Sequence, residues 1–167
     1  IIVFVLAFAC VEVVSVHLES RNEAHALTFS EIPFVAALLL ASPVEVLVAR
    51  LIAGAFVLAV IKRQNFTKLF LNLAVFVAEV ATAVAVLHAL VGTNNPVAPS
   101  SWPGVFGSVL AAHLLGVVAV TLAITIYSGR PSVELVRQVL LFGTMTCLAN
   151  ASIGLATVAS VWDASYG

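Results

Sequence analysis

The sequence predicts an all-α, polytopic bundle of transmembrane helices, and three observations predict it. Of the 167 residues, 62% are apolar and only 9% are charged, against roughly 45–50% and 25% in a soluble domain. The mean hydropathy is +1.17. The apolar residues are also gathered into six stretches, most of them near the roughly 20 residues that cross about 30 Å of hydrocarbon. Seven Lys or Arg and eight Asp or Glu cannot furnish a water-facing surface. The same composition excludes disorder, collagen and coiled coil. A net charge of −1 offers no basic face, so no nucleic acid is expected as a partner.

The six stretches follow in order. The first covers residues 1–16. The second, 32–41, is short, and Ser42-Pro43 ends it, because proline lacks a backbone donor and disfavours helix in the residue before it. Pro43 then suits the first turn of the third stretch, 43–61. The fourth covers 69–91, the fifth 104–127 and the sixth 133–161, with Ser132 as a cap after Arg130-Pro131. The second stretch either spans or re-enters; spanning is the favoured expectation. The chain opens inside an apolar run at Ile1, without Met, and stops at Gly167 just past another. It therefore reads as the middle of a longer protein, a single integral-membrane domain over 1–167, with a helix expected beyond Gly167.

The connectors orient the bundle. Lys62, Arg63 and Lys68 place the third connector in the cytoplasm by the positive-inside rule. The uncharged connector 92–103, with Trp102 at its interface, then lies outside. Arg130 and Arg137 return the chain to the cytoplasm. The lipid bilayer is the first expected partner.

Ionisable residues inside a span are costly and face protein or a polar cavity. Arg50 precedes Lys62 by 12 residues, and Glu79 follows Lys68 by 11. At 1.5 Å per residue both sit roughly 16–18 Å deep. The two helices form a hairpin, so equal depth permits an Arg50–Glu79 ion pair. Such a pair either pins two helices or serves a ligand cavity or switch. Asn72, Glu79 and Thr82 share one face of the fourth helix, and Glu12 and His113 are two further interior candidates.

Gly104, Ser108, Ala112 and Gly116 recur at every fourth position, a stripe that lets a neighbouring backbone approach closely. Its partner is either a helix of the same chain or a second copy in a homodimer. No nucleotide-binding loop, zinc-protease motif or nucleophile elbow is present, so no catalytic residue and no cofactor is expected. His17, Glu19, Glu23 and His25 crowd one connector, but polar connectors beside a membrane collect such residues, and no metal site is expected. Cys10 and Cys147 lie far apart in apolar runs and form no disulfide framework.

The segments VHLESRNEAHALTFSEIPFVAALLLASPVEVLVARLIAGAF, KRQNFTKLFLNLAVFVAEVATAVAVLHAL and CLANASIGLA carry four features. These are the entry Ser30, Glu31, Ile32 and Pro33; a short apolar helix ended by Ser42-Pro43; a basic connector running into Phe70, Leu71 and Asn72; and Asn150, Ser152 and Gly154. In these features the chain resembles the N-terminal integral-membrane region of actinobacterial-type diguanylate cyclase/phosphodiesterase proteins with GGDEF and EAL output domains. Related membrane regions precede HD-type phosphohydrolase domains. The resemblance implies a further helix, a linker, cytoplasmic enzymes and a location in the bacterial cytoplasmic (inner) membrane. Neither a GGDEF nor an EAL signature lies in this chain, so that nucleotide chemistry is assigned to none of its residues.

The expected function is accordingly a membrane sensor or anchor module that regulates a cytoplasmic cyclic di-GMP output by helix displacement. In that reading Arg50, Glu79, Asn72 and His113 line an interior that takes a small or amphiphilic ligand. Glu19, Arg21, His25 and Glu31 lie at its cytoplasmic mouth. Residues 29–56 are also similar to the substrate-binding component of vitamin transporters, which makes transport the alternative. A bundle that only localises an enzyme is the third.

Overall fold

The computed structural model describes residues 1–19, 29–128 and 133–166, and six α-helices carry these described residues. They are α1 (Ile2–Glu19), α2 (Glu31–Leu40), α3 (Pro43–Phe56), α4 (Phe66–Val91), α5 (Trp102–Ser128) and α6 (Val133–Tyr166). There is no strand among the described residues. Among the described residues, four stretches are long and apolar enough to cross a bilayer: Pro43–Ile61, Phe66–Val91, Pro99–Ala123 and Leu140–Trp162. Apolar side chains cover the outside of the bundle. Val3, Phe66, Ile126 and Met145 are 70–80% exposed. Water would not tolerate a surface of this kind, whereas hydrocarbon does. The chain is a membrane-embedded all-α bundle.

Neighbours in space follow the hairpins and one exchange. The ring runs α1 on α3, α3 on α4, α4 on α5, α5 on α6 and α6 on α2. The core gathers Phe8, Phe34, Val35, Ala37, Val46, Ala49, Ala53, Val80, Ala83, Val105, Val109, Ala112, Cys147 and Ala151. The small-residue stripe of α5 is used inside the chain. A Cβ on Gly104 would fall 2.6 Å from Val91 Cγ2, and one on Gly116 would collide with Glu79 Oε1. Both neighbours belong to α4, and Ser108 and Ala112 between them are buried. The stripe therefore closes the bundle on itself rather than on a second copy.

The two ends of the bundle are built differently. At the basic end α3 widens into a π turn over Val57–Ile61. Arg63 takes a left-handed φ of 47°, and the Gln64 N–H returns to the Leu58 carbonyl at 2.9 Å. Asn65 then caps α4 by accepting from the Lys68 N–H at 2.9 Å. This cap starts α4 at Phe66, three residues before its apolar run. At the uncharged end Gly92 takes φ 61°, Trp102 Nε1 donates to the Val97 carbonyl and Ser101 Oγ to that of Asn95. The turn that opens α3 is a capping box. Ser42 Oγ accepts from the Glu45 N–H, and the Glu45 carboxylate accepts from the Ser42 N–H.

The second apolar stretch forms a helix too short to cross by itself, while α1 runs parallel to α3, with Phe8 beside Arg50 and Glu12 beside Lys62. α2 has ten residues, about 15 Å of helix, half the hydrocarbon thickness. Its far end, at Leu38 and Ala41, lies with His88, Val91, Gly92 and Asn94 at the uncharged end. Its first turn lies at mid-depth, described below. Pro33, Phe34, Val35, Ala37 and Leu38 are all buried, so α2 is a half-length helix packed into the bundle, mainly against α6. Pro33 is tolerated because first-turn positions need no intrahelical N–H. α1 also runs three residues past its apolar stretch, to Glu19.

Candidate functional site

Two polar clusters occupy the interior. The first is the pair expected from the depth count. Arg50 Nη2 lies 3.6 Å from Glu79 Oε2, with both side chains largely buried. The guanidinium also sits between two aromatic rings, 5.1 Å from the centroid of Phe8 on α1 and 4.4 Å from that of Phe76 on α4. Cation–π contacts of this kind are worth about 0.5–2 kcal/mol each. Two glycines make the arrangement possible. A Cβ on Gly54 would fall 2.6 Å from Phe76 Cε2, and Gly116 leaves room for the Glu79 carboxylate. One buried cation thus ties α1, α3 and α4 together, with α5 shaped around its partner.

The second cluster joins three helices. Asn150 Nδ2 on α6 donates to Glu31 Oε2 at the start of α2, at 3.0 Å. Glu31, His113 on α5 and Cys147 on α6 bring their ligand-type atoms within 4.8 Å of one another. Cys147 is 1% exposed. His113 lies against a glycine, since a Cβ on Gly143 would fall 3.2 Å from its Nε2. Among the described residues, His113 Nε2 is the one buried side-chain polar atom with no hydrogen-bond partner. Gly154 completes the seat: its missing Cβ would fall 2.9 Å from the Ile32 carbonyl and 3.1 Å from Val35 Cβ. α6 therefore presents Gly143, Cys147, Asn150 and Gly154 along one face, at spacings of four, three and four, and α2 and α5 pack onto it.

These contacts redistribute the residues singled out by sequence. Arg50 and Glu79 meet as expected, and His113 is interior. Glu31 is corrected: it lies not at a cytoplasmic mouth but at the level of His113, 11 residues into α5. The first turn of a half-length helix can reach that depth, and the partial positive charge of a helix N-terminus favours a carboxylate there. Glu12 is interior only near the basic end, where it accepts from Lys62 Nζ at 3.0 Å. Asn72 does not line the Arg50–Glu79 cluster; its Nδ2 donates to Gln64 Oε1 at 2.8 Å and locks the basic elbow. Arg21, His25, Glu23 and the side chains of His17 and Glu19 lie outside the described residues.

Phe8, Phe76, Cys147 and Asn150 were not sought as site residues. Nothing distinguishes two phenylalanines on apolar helices. The regular spacing along α6 is the one signal that could have found the others. Glu31, His113 and Cys147 supply carboxylate, imidazole and thiol, a donor set that can hold a borderline-soft metal ion. No family model, no curated protein and no solved structure matches this chain.

Proposed function

We propose that the chain is a membrane sensor module in which occupation of the Glu31–His113–Cys147 cluster displaces α2 and α6. Output would be a cyclic di-GMP-metabolising domain on the cytoplasmic side, the side of Lys62, Arg63 and Lys68. The observation that carries the reading is the Glu31–Asn150 bond. It fastens the mid-depth end of a half-length helix to α6, with an unpartnered imidazole nitrogen in the same cluster. A ligand shifts a conformational equilibrium only through different affinities for its two states. Groups that come together only when α2 is seated supply such a difference. The cyclic di-GMP output rests on the resemblance of the connectors and of Asn150, Ser152 and Gly154.

The test uses membranes carrying the full-length polypeptide, assayed for synthesis and hydrolysis of cyclic di-GMP. Glu31→Gln and Asn150→Ala are expected to shift one of these activities several-fold at unchanged protein level. Activities equal to wild type in both variants would refute the sensor reading. Transport has one observation in its favour: a half-length helix whose N-terminus opens on polar groups at mid-depth is how discontinuous helices build carrier sites. Uptake of labelled vitamins into proteoliposomes containing the chain would favour that reading.

A further inference from the structure

The second cluster has the composition of a metal site and one feature that packing does not explain. Burying a polar atom without a partner costs about 1–3 kcal/mol, and interiors satisfy such atoms almost everywhere. His113 Nε2 departs from this rule beside a thiol and a carboxyl group. Those three side chains come from three helices and share one small volume.

We propose that Glu31, His113 and Cys147 bind a borderline-soft divalent cation of the Zn²⁺ type. Zn²⁺ takes imidazole nitrogen and carboxylate oxygen at about 2.0–2.2 Å and thiolate sulfur at about 2.3 Å. In a tetrahedral shell those lengths set ligand atoms about 3.3–3.7 Å apart. The three groups here are spread over no more than 4.8 Å, so modest side-chain rotations close the shell. Binding releases the Cys147 thiol proton, since the thiolate is the ligand. Asn150 holds Glu31 Oε2 and so fixes the carboxylate beside the imidazole and the thiol. Gly143 lets the imidazole lie against α6. Three protein ligands leave a fourth position for water or an exchangeable group, the pattern of sites that are not purely structural. The thiolate disfavours Mg²⁺ and Ca²⁺, which prefer oxygen alone.

The experiment is a Co²⁺ titration of the full chain, stripped of metal and purified in detergent. The expected result is one Co²⁺ per chain with a thiolate-to-cobalt charge-transfer band, bleached by Zn²⁺ and unaffected by Mg²⁺. Cys147→Ser abolishes the band, His113→Gln and Glu31→Gln weaken binding at least tenfold, and Cys10→Ser changes nothing. A folded wild-type chain without the band, or a band that survives Cys147→Ser, overturns the proposal. Should Cys147→Ser fail to fold, the wild-type chain suffices. Zn²⁺ must then slow alkylation of Cys147 and not of Cys10, as read by mass spectrometry, and equal rates with and without Zn²⁺ overturn the site. Metal binding that leaves cyclic di-GMP turnover unchanged would keep this site and remove the sensor reading.

Discussion

The Arg50–Glu79 cluster and the Glu31–His113–Cys147 cluster lie one helical turn apart along α5, where Gly116 faces the first and His113 belongs to the second. Both place ionisable groups in the membrane interior, and they are finished to different degrees. Around Arg50 a carboxylate and two aromatic faces meet the cation. Around His113 one ring nitrogen meets nothing that bonds to it. The difference separates a fastening from a site. A charge met by a carboxylate and two rings holds helices in register, and removing either partner leaves the other stranded. A partly met cluster keeps capacity for something that arrives.

Substitutions can break this contrast or sharpen it. The largest effect belongs to Arg50→Ala. It strands Glu79 and opens a gap between Phe8 and Phe76, and breaking a buried pair costs about 3–5 kcal/mol. Thermal unfolding in detergent should show a large fall in Tm. Gly154→Ala comes next, because its Cβ would press on the Ile32 backbone, which cannot rotate away. A loss of about 1–3 kcal/mol is expected, together with weaker Co²⁺ uptake as α2 lifts from α6. Lys62→Ala removes the partner of Glu12 at the basic end. A loss of about 1–3 kcal/mol is expected there, since Glu12 loses a charge-assisted hydrogen bond while largely buried. His113→Leu has the smallest expected effect on the metal-free chain, within about 1 kcal/mol and of stabilising sign, since it removes a polar atom that has no partner. A metal-free His113→Leu chain as unstable as Arg50→Ala would show that the imidazole is a fastening too.

Much of the fold was legible in the sequence because a bilayer imposes a length on every span. The ion pair was legible for a related reason. Arg50 and Glu79 can be counted from the same short basic elbow, and equal counts mean equal depth. The second cluster offers no such ruler. Glu31, His113 and Cys147 are separated by 82 and 34 residues, and no shared connector relates them. Glu31 also opens the half-length helix α2, whose starting depth no count from a connector gives. Ten apolar residues beside a connector resemble a short span, and only the seating of Ile32 on Gly154 shows where α2 begins. Phe8 and Phe76 had no signature at all. Their role depends on Gly54 and on the parallel course of α1 beside α3, which Phe8–Arg50 and Glu12–Lys62 reveal together.

A double-mutant cycle on Arg50→Met and Glu79→Leu, read as unfolding free energy in one detergent, tests most directly whether these two side chains meet inside the bundle. The expected result is a loss of about 3–5 kcal/mol in each single variant and recovery of most of it in the double variant, because a well-packed apolar pair can replace a buried ion pair. Additive losses would mean that the two charges do not share an interior, and the fastening described here would be contradicted.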